Sequence, residues 1–108
     1  MARQYLNTTA DAARVLGLQL ASARRQQRRT STEVAERAGI TRVTLSRVER
    51  GDPAVAIGIY FEVASVLSVP LFGAERSELA ELAARGEMEL ALLPRRVRRP
   101  PVTIDDNF

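Results

Sequence analysis

Apolar residues recur at helical intervals in five separate stretches of the chain, with polar breaks between them. The first stretch predicts a helix over residues 9–28, and Thr8 and Asp11 have the spacing of a capping box at its start. Its last turns carry positive charge, which complements the negative end of the helix dipole. The side chains concerned are Arg24, Arg25, Arg28 and Arg29.

The next two stretches predict two short helices with clear end signals. Thr30 and Glu33 form a second capping box, and Gly39 is suited to end that helix in a left-handed conformation. Thr41 is a good N-cap for a third helix over residues 42–49. The chain therefore contains two helices of about eight residues joined by a tight turn.

Two longer apolar stretches complete the pattern. The fourth starts at Val55 and stops before Pro70, and it is the most hydrophobic, which predicts a central helix. Tyr60 and Phe61 lie within it, so we expect them in the core rather than on a stacking surface. The fifth predicts a helix over residues 75–93. Together the five stretches predict an all-α fold.

The apolar stripe of the fifth helix has two interpretations. Its members are Leu79, Leu82, Leu90 and Leu93. They could belong to the core of a single chain, but the four preceding helices could close a core without them. We therefore favour a dimer interface. On the polar side, Glu81, Arg85 and Glu89 have the spacing of exposed ion pairs. The acids Glu75, Glu78 and Glu81 are expected on the solvent side of this helix and imply no catalysis.

Charge is distributed unevenly along the 108 residues, a length that allows one small domain with a tail. The net charge is +6 over residues 1–50, −5 over residues 51–93 and +2 over residues 94–108. This polarity predicts a basic binding half and an acidic structural half.

The composition excludes several classes of chemistry. The chain has no cysteine, histidine or lysine, so it lacks disulfides, thiol nucleophiles and the usual ligands of zinc. We predict no enzymatic activity, no metal and no cofactor. No apolar run approaches the roughly 18 residues that span a bilayer, and the first residues are unlike a signal peptide. We expect a cytoplasmic protein that does not bind membranes.

Two short helices joined by the turn at residues 38–41 are typical of a DNA-binding helix-turn-helix, in which the second helix enters the major groove. If Leu45 and Val48 point inward, the opposite face of that helix points outward. The outward set is Arg42, Val43, Ser46 and Arg47, with Thr44 at the edge. Arginine can bond guanine through two donors, serine can bond base edges or phosphate, and valine methyls can contact a thymine methyl.

The segment TSTEVAERAGITRVTLSRVERGDP resembles the Cro/repressor (XRE) family of helix-turn-helix proteins, and the helix order matches that family from about Leu16 to Phe72. The resemblance implies a five-helix, lambda-repressor-like fold. We predict a DNA-binding domain over residues 9–93, including a C-terminal dimerisation helix, and a basic tail over residues 94–108. The family usually has Gln at the first residue of helix two, where this chain has Ser31, whose shorter hydroxyl can still donate to phosphate.

The resemblance also implies residue roles. A family ion pair between an Arg late in helix one and the Glu that ends the recognition helix maps onto Arg24 and Glu49. The predicted DNA-binding residues are Ser31, Thr32, Thr41, Arg42, Val43, Thr44, Ser46, Arg47 and Arg50. Ser31 could instead serve only at the helix start, and the arginines late in helix one could contact phosphate or serve only the helix dipole and solubility.

Two further segments, RGDPAVAIGIYFEVASVLSV and LPRRVRRPPVTIDDNF, are similar to the HipB-like antitoxins that accompany HipA-family kinase toxins. That similarity implies a homodimer that represses its own operon from a pseudo-palindromic double-stranded DNA operator and neutralises a HipA-like kinase toxin. The alternative is a stand-alone XRE-type regulator without a toxin partner. The sequence does not distinguish repression from activation.

The arginine-rich tail leaves three interpretations open. Arg95, Arg96, Arg98 and Arg99 could clamp phosphate, contact a toxin or form a solvated, disordered tail. The β-prone patch at residues 102–104 could add a strand that a partner completes.

Overall fold

A computed structural model describes residues 3–100 and confirms the all-α fold. Its helices are α1 (Asn7–Gln26), α2 (Ser31–Ala38), α3 (Arg42–Glu49), α4 (Ile57–Leu67) and α5 (Leu79–Ala91). Over the described part of the chain there is no β-strand, only an isolated bridge between Leu71 and Ala74. The patch at 102–104, predicted as a possible strand, lies outside the described residues.

Packing contacts divide the described chain into two compact units, the first ending at Ser77 and the second beginning at Glu78. Helices α1–α4 belong to the first unit and surround one apolar core. The largest side chains that are fully buried there are Leu20, Val34, Leu45, Val48, Val63 and Leu67. Tyr60 on α4 is also buried, as predicted for the core, whereas Phe61 is half-buried and packs edge-on against Phe72. Each of the helices α1–α4 thus contributes buried apolar side chains to one core.

The ends of α2 and α3 follow the predicted local signals. The Thr30 hydroxyl accepts a hydrogen bond from the Glu33 amide at 3.1 Å, and the Thr41 hydroxyl accepts one from the Thr44 amide at the same distance. Gly39 ends α2 in the left-handed region, with φ at +71°. These caps satisfy backbone groups that a helix cannot pair internally, so they fix the two helices and the turn between them.

The longer helices begin or end away from their predicted bounds. Helix α1 begins at Asn7 because the carbonyl of Leu6 already accepts from the Ala10 amide, so the capping box expected at Thr8 is not its start. Helix α4 begins at Ile57 and ends where Ser68 adopts a left-handed conformation, with φ at +54°. Helix α5 is preceded by a 3₁₀ turn over Arg76–Glu78 and ends at Ala91 rather than residue 93.

Backbone packing between two glycines holds α1 against the end of α3. A β-carbon at Gly17 would lie 2.5 Å from the carbonyl oxygen of Val48, and one at Gly51 would lie 2.7 Å from the carbonyl oxygen of Ala13. Gly51 also has φ at +72°, which disfavours any other residue. This close approach fixes how α3 sits on the domain.

Helix α5, in the second unit, carries no buried residue. Leu82, Leu90 and Leu93 are all exposed, at 36%, 69% and 62%, while Leu79 is half-buried. The predicted pair between Glu81 and Arg85 forms at 3.1 Å. Three of the four leucines in the predicted stripe are therefore exposed, and the last of them, Leu93, lies just beyond the end of α5.

Within residues 3–100, no helix is both long enough and apolar enough to cross a membrane.

Candidate nucleic-acid interface

Helix α3 has one face in the core and one face open to solvent. Leu45 and Val48 are at most 1% exposed, as the spacing predicted. On the opposite side Arg42, Val43 and Ser46 are exposed, and Val43 is 72% exposed. A short helix anchored by two buried side chains thus presents two polar residues and one large apolar residue that contribute little to the core.

Two arginines at the ends of α3 donate hydrogen bonds to hydroxyl groups and, within residues 3–100, to no other group. Arg42 donates from Nη1 to the Thr32 hydroxyl at 3.3 Å, and Arg50 donates from Nη1 to the Ser46 hydroxyl at 2.9 Å. All four side chains are exposed. Hydrogen bonds of this kind on a surface contribute little to stability, so both guanidinium groups can be transferred to phosphate or base acceptors at low cost.

Arg47 differs from the other predicted contact residues because its side chain is engaged with a carboxylate. Its Nε lies 2.8 Å from Oδ2 of Asp52, and the two side chains are 40% and 31% exposed. The pair spans the end of α3 and the turn that follows it. Thr44, predicted at the edge of the face, is half-buried, and its hydroxyl lies 3.0 Å from that of Thr41.

Asp52 is held in place from several directions. Its Oδ1 accepts from the Ala54 amide at 2.9 Å, and its carbonyl oxygen accepts from the Tyr60 hydroxyl at 2.7 Å. The bond from Ala54, followed by the bond from Arg47, lowers the pKa of the Asp52 carboxyl, which therefore stays ionised. Burial, with a smaller effect of the Asp52 charge, raises the pKa of Tyr60, which keeps that hydroxyl protonated as a donor.

Two hydrogen bonds join Arg24 on α1 to Glu49 at the end of α3. Arg24 Nε lies 2.6 Å from Glu49 Oε2, and Nη2 lies 3.1 Å from Oε1. Both side chains are only 13% exposed. The hydrogen bond to Glu49 is the main cause that raises the pKa of Arg24. The pair ties α3 to α1, and the positive charge of Arg24 offsets that of Glu49, which also lines the groove beside α3.

A groove between α1 and α3 brings further predicted residues beside the exposed face of α3. Its lining includes Arg25, Ser31, Arg42, Ser46 and Arg50, together with Glu49 and with Ser22, for which no role was predicted. Ser31 is half-buried at the first position of α2, and Thr32 and Arg25 are exposed. Arg29 lies elsewhere and is used by the fold, because it donates to the Val66 carbonyl at 2.8 Å and to Glu33 at 3.3 Å.

The four tail arginines, Arg95, Arg96, Arg98 and Arg99, follow α5 and are exposed. They belong to the second unit of the chain. Their three predicted roles stay predictions.

Sequence reasoning missed two features of this surface. The first is Asp52, for which the sequence Gly-Asp-Pro was a usable signal, since aspartate in such a turn commonly accepts from an amide two residues later. The second is Gly17, a glycine inside a helical pattern, which often marks a close backbone approach.

A protein-family model described as helix-turn-helix matches residues 20–73, half of the chain and most of the unit that carries α1–α4. The chain therefore belongs to the helix-turn-helix family, of the XRE type, and its fold is that of a DNA-binding transcriptional regulator. No curated protein and no solved structure gave a significant match to the chain. Within the described residues, no cluster of acidic side chains has the geometry of a metal site.

Proposed function

We propose that the chain is a sequence-specific repressor that inserts α3 into the major groove of double-stranded DNA. The observation that carries this proposal is the division of α3 between a fully buried face and an exposed face bearing Arg42, Val43 and Ser46. An α-helix fits the major groove, where each base pair shows a distinct pattern of donors, acceptors and methyl groups. The net charge of +6 over residues 1–50 supplies attraction to phosphate.

The polar groups around α3 suit two kinds of contact. We assign Arg42, Val43, Ser46 and Arg47 to base edges, and Ser31, Thr32, Thr41, Thr44 and Arg50 to the sugar-phosphate backbone. Base contacts carry the sequence information, and backbone contacts fix position and orientation. Because the chromosome is the proposed ligand, we expect the protein to act in the cytoplasm.

The open stripe of α5 supports a homodimer as the binding species. Leu82 and Leu90 on α5, with Leu93 just beyond its end, form an exposed apolar surface that is costly for a monomer, and a second copy can cover it symmetrically. Two recognition helices would then read half-sites about 34 Å apart on a pseudo-palindromic operator.

We further propose that the protein is the HipB-like antitoxin of a type II toxin-antitoxin pair. It would repress its own operon and neutralise a HipA-like kinase. The proposal is supported by the resemblance of residues 50–69 and 93–108 to that group and by the exposed arginines of the tail. The alternative is a stand-alone XRE-type regulator.

The DNA-binding proposal is tested by selection from a randomised duplex library, followed by affinity measurements on the selected site. We expect Arg42→Ala to weaken specific binding by about 1–3 kcal/mol and to relax preference at one position, as loss of a base contact does. We expect Arg50→Ala to weaken all sequences alike and to reduce the salt dependence. A wild-type chain that enriches no motif would refute the proposal.

The antitoxin proposal is tested by a tagged pull-down from the native host, with bound proteins assayed for ATP-dependent autophosphorylation. We expect a stoichiometric kinase that the chain inhibits. Deleting residues 95–108 should release the kinase and leave operator binding intact if the tail serves only the toxin. Recovery of a homodimer with DNA and no kinase would favour the stand-alone regulator.

A further inference from the structure

Asp52 bonds one particular nitrogen of the Arg47 guanidinium group, which leaves the others unbonded within residues 3–100. Asp52 engages Nε, the inner nitrogen of the guanidinium group, at 2.8 Å. Neither Nη nitrogen of Arg47 has a hydrogen-bond partner among the described residues. The outer edge of the group, which carries four N–H donors, is therefore the part left open.

The carboxylate that holds Arg47 is itself rigid. The Asp52 side chain is fixed by the Ala54 amide, and its backbone is fixed by bonds from its amide to the Arg47 carbonyl, at 3.0 Å, and from the Tyr60 hydroxyl to its carbonyl. Tyr60 is 4% exposed and belongs to the core. A continuous series of hydrogen bonds thus runs from the core through Asp52 to the guanidinium group on α3.

We propose that Asp52 is a positioning residue, which holds the Arg47 guanidinium so that its outer edge can bond the O6 and N7 atoms of one guanine. This inference rests on the proposed function of α3 as the DNA-reading helix. Arg47 lies one turn beyond Val43 on the same helix, at the edge of the exposed face, and its side chain is 40% exposed. A free arginine loses much side-chain freedom on binding, whereas a pre-oriented one loses less.

A carboxylate beside DNA also opposes non-specific binding. Unpaired, Asp52 would repel phosphate groups, but its charge is offset by Arg47 and by the nearby Arg50. Asp52 should therefore improve the choice between sequences without improving the overall attraction to DNA. That combination separates a positioning role from a merely structural one, because a loss of folding would weaken binding to every sequence alike.

The test compares Asp52→Asn with Glu62→Gln, which removes the same charge from an exposed residue of α4. Asparagine retains a carbonyl oxygen for the Ala54 amide, so the turn is kept while the anionic partner of Arg47 is lost. Selection from a randomised duplex library with the wild-type chain defines the site, and Arg47→Ala identifies the base pair that Arg47 reads.

We expect Asp52→Asn to reduce discrimination at that base pair by at least about 3-fold and at most about 30-fold, the limit set by the side-chain entropy of arginine. Binding to unrelated duplex should stay equal or become tighter, and Glu62→Gln should leave discrimination unchanged. In the Arg47→Ala background, Asp52→Asn should have no further effect on discrimination.

The outcomes separate this inference from the function on which it rests. If the wild-type chain enriches no motif, both fail together. If it enriches a motif but Arg47→Ala or Asp52→Asn leaves discrimination unchanged, the inference is overturned and the DNA-reading role of α3 stands. Sharper discrimination in Asp52→Asn would also overturn it, since Asp52 would then withhold Arg47 from DNA.

Discussion

The ion pair between Arg24 and Glu49 should stabilise the domain, and the two side chains should show a large coupling free energy. Both side chains are 13% exposed, and two hydrogen bonds of 2.6 Å and 3.1 Å join them, with a third from Arg24 Nη1 to the Arg29 carbonyl at 3.0 Å. Replacing Arg24 with methionine leaves the Glu49 carboxylate mostly buried and unpaired. Loss of one partner of a buried pair costs about 3–5 kcal/mol, and we expect about 3 because both groups keep some solvent contact.

A double-mutant cycle measures the coupling free energy between Arg24 and Glu49. We expect Arg24→Met and Glu49→Met each to destabilise the domain, and the double variant to be at least about 1 kcal/mol more stable than additivity predicts. The assay is urea unfolding followed by far-ultraviolet circular dichroism at one protein concentration, because self-association would shift the midpoint.

The exposed pair of Arg85 and Glu81 is the matched control, for which a coupling of about 0.3–0.5 kcal/mol is expected. Should Arg24→Met fail to fold, Arg24→Gln, which removes the charge but keeps a neutral N–H donor, replaces it in the cycle with a smaller expected coupling. A coupling for Arg24 and Glu49 within the error of zero would refute the view that the pair fastens α3 to α1.

Three further predictions concern packing, titration and assembly. Gly17→Ala should destabilise the protein by at least about 1–3 kcal/mol because the new β-carbon meets rigid backbone, whereas Gly58→Ala, with open space around it, should stabilise it by about 0.5–1 kcal/mol. Equal effects of the two variants in urea unfolding would contradict this. Because the pKa of Tyr60 is raised in the folded protein, its contribution to the free energy of unfolding is complete below the ordinary tyrosine pKa of 10.0 and is lost as pH rises through the higher folded value. Tyr60→Phe should therefore cost about 1 kcal/mol at neutral pH and reduce the loss of stability at alkaline pH, and an unchanged alkaline profile would argue against this. Leu90→Glu should weaken a dimer at least about tenfold in sedimentation, with Glu87→Gln as the control, and an unaffected dimer would remove α5 from the interface.

Features that depend on residues close together in the sequence were predicted best. The bounds of α2 and α3 follow from Thr30, Gly39 and Thr41, because each cap acts on amides or carbonyls within a few residues. The start of α1 was misplaced because no side chain caps it, so the sequence carries no signal there. The all-α fold was predictable because a helical period repeated over many residues is a strong signal.

Contacts between distant segments were harder to predict. The approach of Gly17 to Val48 depends on how α1 and α3 cross, and the spacing of apolar residues along the sequence does not determine that crossing. The outward direction of Arg42 and Val43 was predictable from Leu45 and Val48 facing the core. The partner of Arg47 was not, because the turn that follows α3 decides where the Asp52 carboxylate lies.

If the exposed face of α3 contacts DNA as proposed, its separation from the core should let sequence preference change without loss of stability. Val43 is 72% exposed, whereas Leu45, two residues further on, is 1% exposed. Val43→Ala removes two methyl groups that only DNA would contact, so unfolding should change by less than about 0.5 kcal/mol while preference at one base pair shifts. Leu45→Ala should instead cost about 2–5 kcal/mol and weaken binding to every sequence, because α3 loses its anchor.

Duplex selection and urea unfolding on the same two variants give the comparison. A Val43→Ala chain that is clearly destabilised, or that selects an unchanged motif, would show that the two faces of α3 are not separate in this way. If the prediction holds, stability and specificity are set by different side chains of one eight-residue helix, and the second can vary while the first is kept.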